Sequence, residues 1–392
     1  MENHKLRIAQ VAPLYESVPP KFYGGTERVV SYLTEALVNQ GHQVTLFASG
    51  DSVTSARLVA ASQKSLRLDE HCIDGLAPHI TMLQMVQNEI ENFDIIHYHV
   101  DYLHFTVSKI SSTPQLTTLH GKLTIPELQS LYAQYTDMPL VSISNAQRKP
   151  LSNVNWIKTV HHGIPQDLFS MQPGKGKYLA FLGRVSPEKG LDRAIEVAMR
   201  CDIPLKIAAK IDKVDQPYYE AHIKKYVGHP LVEFVGEIGE SEKNTFLGEA
   251  LALLFLIDWP EPFGLVMIES LACGTPIIAY SNGSVPEIIS HGKTGFIVSS
   301  QQEAVEAVKN ISSISRRACR AYFDERFTVQ RMASEYIEAY HRVMQSKPSK
   351  QVGRWAPVSA EEPRKVKEPG VREGEEFEGR GEDGYDLKIL RA

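Results

Sequence analysis

Strand-length apolar runs alternate with helical stretches along this chain, and the series starts twice. LRIAQVAP, HQVTLFAS, DIIHYH, PQLTTLHG and the opening of PLVSISNAQ form the first series. Between the first two runs, residues 26–40 place Val29, Val30, Leu33, Ala36 and Leu37 on one helical face, and Gly41 suits a helix end. After VHHGIP the pattern restarts with KYLAFLG and a helix over residues 191–200. PLKIAAK, VEFVG, ALALLFLI, TPIIAY and GFIV continue it. Helices between consecutive strands allow parallel pairing, and a sheet covered on both faces reads as continuous apolar runs. The expectation is an α/β chain with two domains of similar size and a cleft between them.

The break falls near residues 165–175, where Pro173, Gly174 and Gly176 cluster. Residues 1–168 are assigned to the first domain and 169–325 to the second. A last helix is expected over about 328–344, within a segment 326–346. Residues 347–392 are charged, rich in Pro and Gly and almost free of aliphatics. Such a segment cannot bury enough apolar surface to offset its ordering entropy, so disorder is expected there.

Bulk composition excludes several classes. Net charge is −5, with both signs mixed through the body, so a basic face for nucleic acid is not expected. The four cysteines, Cys72, Cys201, Cys273 and Cys319, lie far apart and include no C-x-x-C pair. They read as reduced thiols rather than a disulfide frame or a zinc site. The opening MENHKLRIAQVAPLYE has too short an apolar run for a signal peptide, and no window approaches a membrane helix. A cytoplasmic location is expected, peripheral membrane contact stays open, and no oligomeric state is predicted.

Chemistry concentrates at four places. The first is EPFGLVMIE at residues 261–269, followed by SLACGTPIIA. Phe263-Gly264 reads as a turn, and residues 265–273 as a short helix stopped at Gly274. A helix start presents unpaired N–H groups and suits a phosphate. Glu261 and Glu269 can accept from vicinal hydroxyls, although a bare pair of glutamates at this spacing is more often a cap and a solvated residue. The second is FLGRVSPEKG, where Arg184 and Lys189 sit on a strand-to-helix turn and suit a diphosphate. The third is YGGTERVV, where Gly24 and Gly25 open a helix with Thr26 as its expected N-cap. The fourth is TTLHG, with His120 at a strand end, beside DIIHYHVD with His97, His99 and Asp101. Three histidines also allow a zinc reading, since imidazole is the commonest zinc ligand. Ser144 and Asn145 suit either a helix cap or an acceptor contact. Lys210 follows the strand PLKIAAK and can face the cleft. No D-x-D occurs anywhere, so no metal site is predicted.

The string EPFG…E…ACGTP and the turn G-R-x-x-x-x-K-G together resemble the family 4 ("group 1") glycosyltransferases. The resemblance covers residues of about 5 to 345. It implies the GT-B fold: two Rossmann-like domains facing a central cleft, with the C-terminal helix crossing back to the first. It implies retaining, metal-independent transfer of a hexose from a nucleotide diphosphate sugar, which serves as co-substrate with no further cofactor. His120, Glu261, Arg184 and Lys189 take the catalytic positions. Gly24, Gly25, Phe263, Gly264, Leu265, Glu269 and Lys210 take donor-binding ones, and His97, His99, Asp101 and Asn145 lie on the acceptor side. The family's G-G-x-P-E loop is matched only loosely by Asn282-Gly283-Ser284-Val285-Pro286-Glu287. UDP-glucose is the first donor expected, with GDP-mannose open. A GT-B sugar-nucleotide epimerase and a non-catalytic nucleotide-sugar-binding protein are the alternatives.

Overall fold

The two apolar series form two parallel sheets in the computed structural model, which describes residues 5–21, 24–172 and 174–346. The expected disorder of residues 347–392 lies outside the described residues. The first sheet comprises β1 (Arg7–Val11), β2 (Gln43–Ser49), β3 (Arg57–Ser62), β4 (Ile95–Tyr98), β5 (Gln115–Thr118), β6 (Leu140–Ser142) and β7 (Trp156–Thr159). Its order is β3-β2-β1-β4-β5-β6-β7. The second comprises β8 (Tyr178–Arg184), β9 (Leu205–Lys210), β10 (Val232–Gly236), β11 (Ala250–Phe255), β12 (Ile277–Tyr280) and β13 (Gly295–Val298), in the order β10-β9-β8-β11-β12-β13.

Most residues of the central strands are buried. Ile8 pairs across to Val44 and to Ile95, all in one core. Strands β3 and β7 are absent from the sequence reading, and both are edge strands. Every residue of β3 and β7 is half-buried or exposed, so neither carries a continuous apolar run.

In each sheet the chain order reverses beside the first strand, between β1 and β4 and between β8 and β11. Crevices at such points, beyond the carboxyl ends of the strands, are where open α/β sheets bind ligands. Gly24 follows β1, His99 follows β4 and His120 follows β5. Arg184 ends β8, and Glu261 follows β11.

The last helix, Val329–Gln345, packs against the helix Gly25–Asn39 of the first domain. Its entry is fixed by the Ile164 N–H donating to Phe327 O at 3.0 Å and the Val329 N–H donating to Ile164 O at 2.9 Å. Thr328 caps it, accepting from the Arg331 N–H. Tyr336 and Tyr340 on its inner face are 0% exposed, so each buried hydroxyl needs a partner. They find Thr118 and Gln10, both on strands of the first sheet.

Candidate active site

Beyond β11 the chain runs through Trp259 to Gly264 and then enters the helix Leu265–Ala272. Gly264 has φ +80°, a left-handed conformation that L side chains rarely adopt. Glu261 is only 8% exposed, and its Oε2 accepts from Lys189 Nζ at 2.7 Å and from Trp259 Nε1 at 3.0 Å. The ammonium of Lys189 also lies 4.6 Å from the Trp259 ring centroid, within cation–π range. Two strand ends at the crevice thus contribute a cation, a carboxylate and an indole to one cluster. Trp259 was not among the expected site residues, although it stands two positions before Glu261.

Arg184 meets carboxylates rather than open space. Its Nη2 donates to Glu188 at 2.7 Å, and its Nε lies 3.3 Å from Asp215. Lys210 pairs with Asp212 at 3.1 Å. Glu269 is 3% exposed and accepts from Lys243 Nζ at 2.7 Å. Lys243 lies on the helix Glu240–Gly248, in a stretch with no recognisable motif. From the same helix, Glu240 accepts from Arg28 and Tyr32 of the first domain.

Two helix starts face each other here. Gly24, not Thr26, is the N-cap of the helix Gly25–Asn39, and no side chain caps it. Thr26 falls inside the first turn because the glycine pair lets the helix begin two residues earlier. The helix Leu265–Ala272 also starts without a side-chain cap, at Gly264. A Cβ placed on Gly25 would lie 3.8 Å from Leu265 Cδ1, so the two starts are in contact range. Uncapped N–H groups at a helix start suit an anion.

A histidine cluster lines the first-domain side. His99 Nδ1 lies 2.9 Å from His120 Nε2, and His99 Nε2 lies 2.8 Å from Gln10 Oε1. His97 is 0% exposed, with Nδ1 on the Tyr340 hydroxyl at 2.8 Å and Nε2 on the Thr118 hydroxyl at 2.7 Å. Both its nitrogens are spent inside the domain, so His97 anchors the last helix and reaches no acceptor. His120 stacks on His162 at 5.3 Å, and His162 packs edge-on against Phe263 at 4.7 Å. That stack joins the first domain to the start of the donor-side helix. The VHHGIP segment, read from sequence only as the end of a series, supplies its middle member. Burial pushes the His120 imidazole down to about 3, and holds His97, His99 and His162 well below the ordinary histidine range. These rings are neutral at physiological pH. Among the described residues, no group of three or more His, Cys, Asp or Glu side chains is arranged to hold a metal ion.

Asp101 has φ +48°, a strained value for a non-glycine residue, and burial raises its carboxyl to about 6. Asn145 points elsewhere than the histidines. Its N–H and side-chain amide donate to Glu287 Oε2 at 2.8 and 3.0 Å, the Ala146 N–H donates to Glu287 Oε1 at 2.8 Å, and His161 Nε2 lies 3.0 Å from Oε2. Ser144 caps the short helix Asn145–Arg148 by accepting from the Gln147 N–H. Glu287 therefore clasps the second domain to the first.

The loop carrying Glu287 is built onto the Glu261 segment. The Ser284 N–H donates to Glu261 O at 2.9 Å, Ser284 Oγ donates to Phe263 O at 2.8 Å, and Asn282 Nδ2 donates to Ile257 O at 2.9 Å. Its departure from the family's double glycine leaves the one critical glycine in place, because Gly283 (φ +57°) passes against the Glu261 backbone.

The clasp has a defined pH response. Burial pushes the Glu287 carboxyl up, but the bonds from His161, Asn145 and Ala146 outweigh it and hold the carboxyl below its ordinary value of 4.5. A carboxylate lowered by folding stabilises above its unfolded value and loses that contribution as pH falls through the folded one. Glu287→Gln is expected to cost about 1–2 kcal/mol near neutral pH, as charge-assisted bonds are lost. The gap in melting temperature between wild type and Glu287→Gln should close below pH 4. A gap that persists unchanged at pH 3 contradicts this.

Residues 168–325 match the family model "Glycosyl transferases group 1", and residues 23–177 match "Glycosyltransferase Family 4". Together the two matches run from residue 23 to residue 325. The chain belongs to glycosyltransferase family 4. As a member it is a retaining, metal-independent glycosyltransferase that takes sugar from a nucleotide-sugar donor. An N-acetyl-alpha-D-glucosaminyl L-malate synthase of Bacillus anthracis is 22% identical over 361 residues, covering 82% of this chain and 94% of the relative. A D-inositol 3-phosphate glycosyltransferase of Mycolicibacterium smegmatis is 30% identical over 183 residues, covering 41% of this chain and 38% of the relative. Among solved structures, sucrose-phosphate synthase from Thermosynechococcus elongatus superposes with a TM-score of 0.71 at 18% identity, covering 86% of this chain and 99% of that one. Anabaena HepE bound to UDP-glucose superposes at 0.68 and 16% identity, covering 86% and 100%. These structures share the GT-B fold. Among the described residues no helix is long and apolar enough to cross a membrane.

Proposed function

We propose that this family 4 enzyme transfers a hexose from a UDP-sugar, UDP-glucose first, to an acceptor hydroxyl with retention of configuration. The observation that carries the reading is the Lys189–Glu261–Trp259 cluster, which lies near Phe263, the residue on which the His120–His162 stack rests. As the anomeric C–O bond breaks, the sugar gains positive character and the diphosphate gains negative charge. Lys189, Arg184 and the N–H groups at Leu265 and Gly25 stabilise the leaving group electrostatically. Arg184 reaches the diphosphate by exchanging carboxylate partners, which donor binding must drive. Glu261 Oε1, which has no protein partner among the described residues, meets sugar hydroxyls. Glu269 serves the ribose and Lys210 the donor side of the cleft. His120 accepts from a sugar hydroxyl. His99, Asp101 and Asn145 stand on the acceptor side. The departing phosphate deprotonates the acceptor on the face it leaves.

UDP is favoured over GDP by the likeness to HepE, whose structure holds UDP-glucose. A donor screen tests the reading. UDP-glucose is expected to raise the melting temperature and to release UDP, faster with an acceptor present, whereas GDP-mannose is not. Ligand at a hundred times its Kd stabilises by about 2.7 kcal/mol, an easily read shift. A response to GDP-mannose alone reassigns the nucleotide. Acceptor-independent interconversion of UDP-sugars favours the epimerase, and inverted product refutes the same-face mechanism.

A further inference from the structure

Seven side chains, six of them buried and His120 half-buried, form one unbranched hydrogen-bonded file from the last helix to the cleft. Tyr336 meets Thr118 at 3.0 Å, Thr118 meets His97 at 2.7 Å, and His97 meets Tyr340 at 2.8 Å. Tyr340 then meets Gln10 at 2.9 Å, Gln10 meets His99 at 2.8 Å, and His99 meets His120 at 2.9 Å. Every link is of ordinary length. Each imidazole uses one nitrogen toward each neighbour, and a neutral imidazole has one donor and one acceptor. With each inner hydroxyl donating once and accepting once, the polarity of one link sets the polarity of the others.

The Gln10 amide sets that polarity. Its Nε2 faces the Tyr340 hydroxyl and donates to it, which commits the Tyr340 proton to His97 Nδ1. His97 then carries its proton on Nε2 and donates to Thr118, whose hydroxyl donates to Tyr336. On the other side, Gln10 Oε1 can only accept, so His99 donates from Nε2 and its Nδ1 is bare. His120 must then donate from Nε2 to His99. His120 Nδ1 is left without a proton, and it is buried with no hydrogen-bond partner in the structure. A buried polar atom left unmatched calls for an explanation, and a ligand donor is one.

We propose that Gln10 and Tyr340 are positioning residues that fix the tautomer of His120, so that its Nδ1 is a bare acceptor for a hydroxyl of the donor sugar. The proposal rests on His120 contacting the sugar, as argued above. Burial keeps all three rings neutral, so the tautomer is not averaged by protonation. Reversing the Gln10 amide would reverse the whole file and present a proton at Nδ1, which a sugar oxygen could meet only as acceptor.

Nitrogen-15 NMR of the full-length protein labelled at histidine reads the tautomers directly, with His120→Asn, His99→Asn and His97→Asn used for assignment. His97, His99 and His120 are all expected to show a protonated Nε2 and a bare Nδ1. A protonated Nδ1 on His120 in the wild type overturns the proposal, whatever the donor turns out to be. Gln10→Leu and Tyr340→Phe provide the kinetic arm, with UDP binding as the check that the donor domain is intact. Each is expected to lower kcat about 10- to 100-fold, the range seen when partners that orient a functional histidine are lost, with KM for the donor nearly unchanged and the His120 signals displaced. Displaced signals with wild-type kcat also overturn it. Absence of any transferase activity in the wild type, with the predicted tautomers present, instead refutes the functional reading.

Discussion

Lys189→Ala is expected to lower kcat by about 10²–10³-fold, roughly 2.7–4 kcal/mol of lost transition-state stabilisation. The cation acts twice. It neutralises Glu261 at 2.7 Å, and through that contact it stands beside the segment that leads into the uncapped helix start at Leu265. Without it, the negative charge that builds on the diphosphate faces an uncompensated carboxylate. Glu261→Ala is expected to be comparably inactive for the complementary reason, since the sugar loses its hydroxyl acceptor. The fold should survive both changes. The side chains remain 19% and 10% exposed, and Trp259 still donates to Glu261 when the lysine is gone. Steady-state kinetics with a UDP-sugar, alongside thermal melting, check this. Near-normal turnover in both variants would sink the site assignment.

Gly283→Ala is the second large effect. Its Cβ would stand 2.2 Å from Glu261 O and 2.4 Å from Glu261 N, at a φ of +57°. Nothing flexible can yield there, because the obstacle is backbone. The loop must lift, taking with it the Ser284 bonds to Glu261 and Phe263. Glu261 and the helix start then move together, and a displacement of about 1 Å at such groups costs on the order of 10²-fold in rate. Gly292→Ala is the control. It has a similar φ of +76°, yet nothing lies within 4 Å of its would-be Cβ. It carries the backbone strain without the collision. Values of kcat/KM that fall equally in both variants would show that strain alone, not displacement of Glu261, is responsible.

What could be read from the chain follows from where each signal is stored. All six strands of the second sheet and five of the first announce themselves as short apolar runs. The edge strands of the first sheet, β3 and β7, carry no such run and stay hidden, whereas the edges of the second, VEFVG and GFIV, keep one. Glu261, Lys189 and Arg184 are legible because motif and strand end coincide. The contacts around them are not. Trp259 stands two residues from Glu261 without a motif of its own, whereas Lys243, which meets Glu269, and Glu287, quoted only as the end of a loosely matched loop, join the site through contacts between segments far apart in sequence. Gln10 did leave a trace: a glutamine within the apolar run LRIAQVAP must be satisfied if buried. The sequence does not say by what, since its partner Tyr340 stands 330 residues away.

That separation bears on how the molecule is made. Synthesis proceeds from the N-terminus, so β1 through β7 are complete long before residues 329–345 exist. Until that helix arrives, Gln10, His97 and Thr118 keep their bonds within the first domain but each lacks one partner, and the helix Gly25–Asn39 lacks the element that packs against it. Contacts this distant in sequence form late and slow the folding that depends on them. The final turn of assembly is thus also the step that arms His120. An emerging chain that stops short of residue 329 lacks the Tyr340 link to Gln10 and His97, and with it the fixed tautomer proposed for His120.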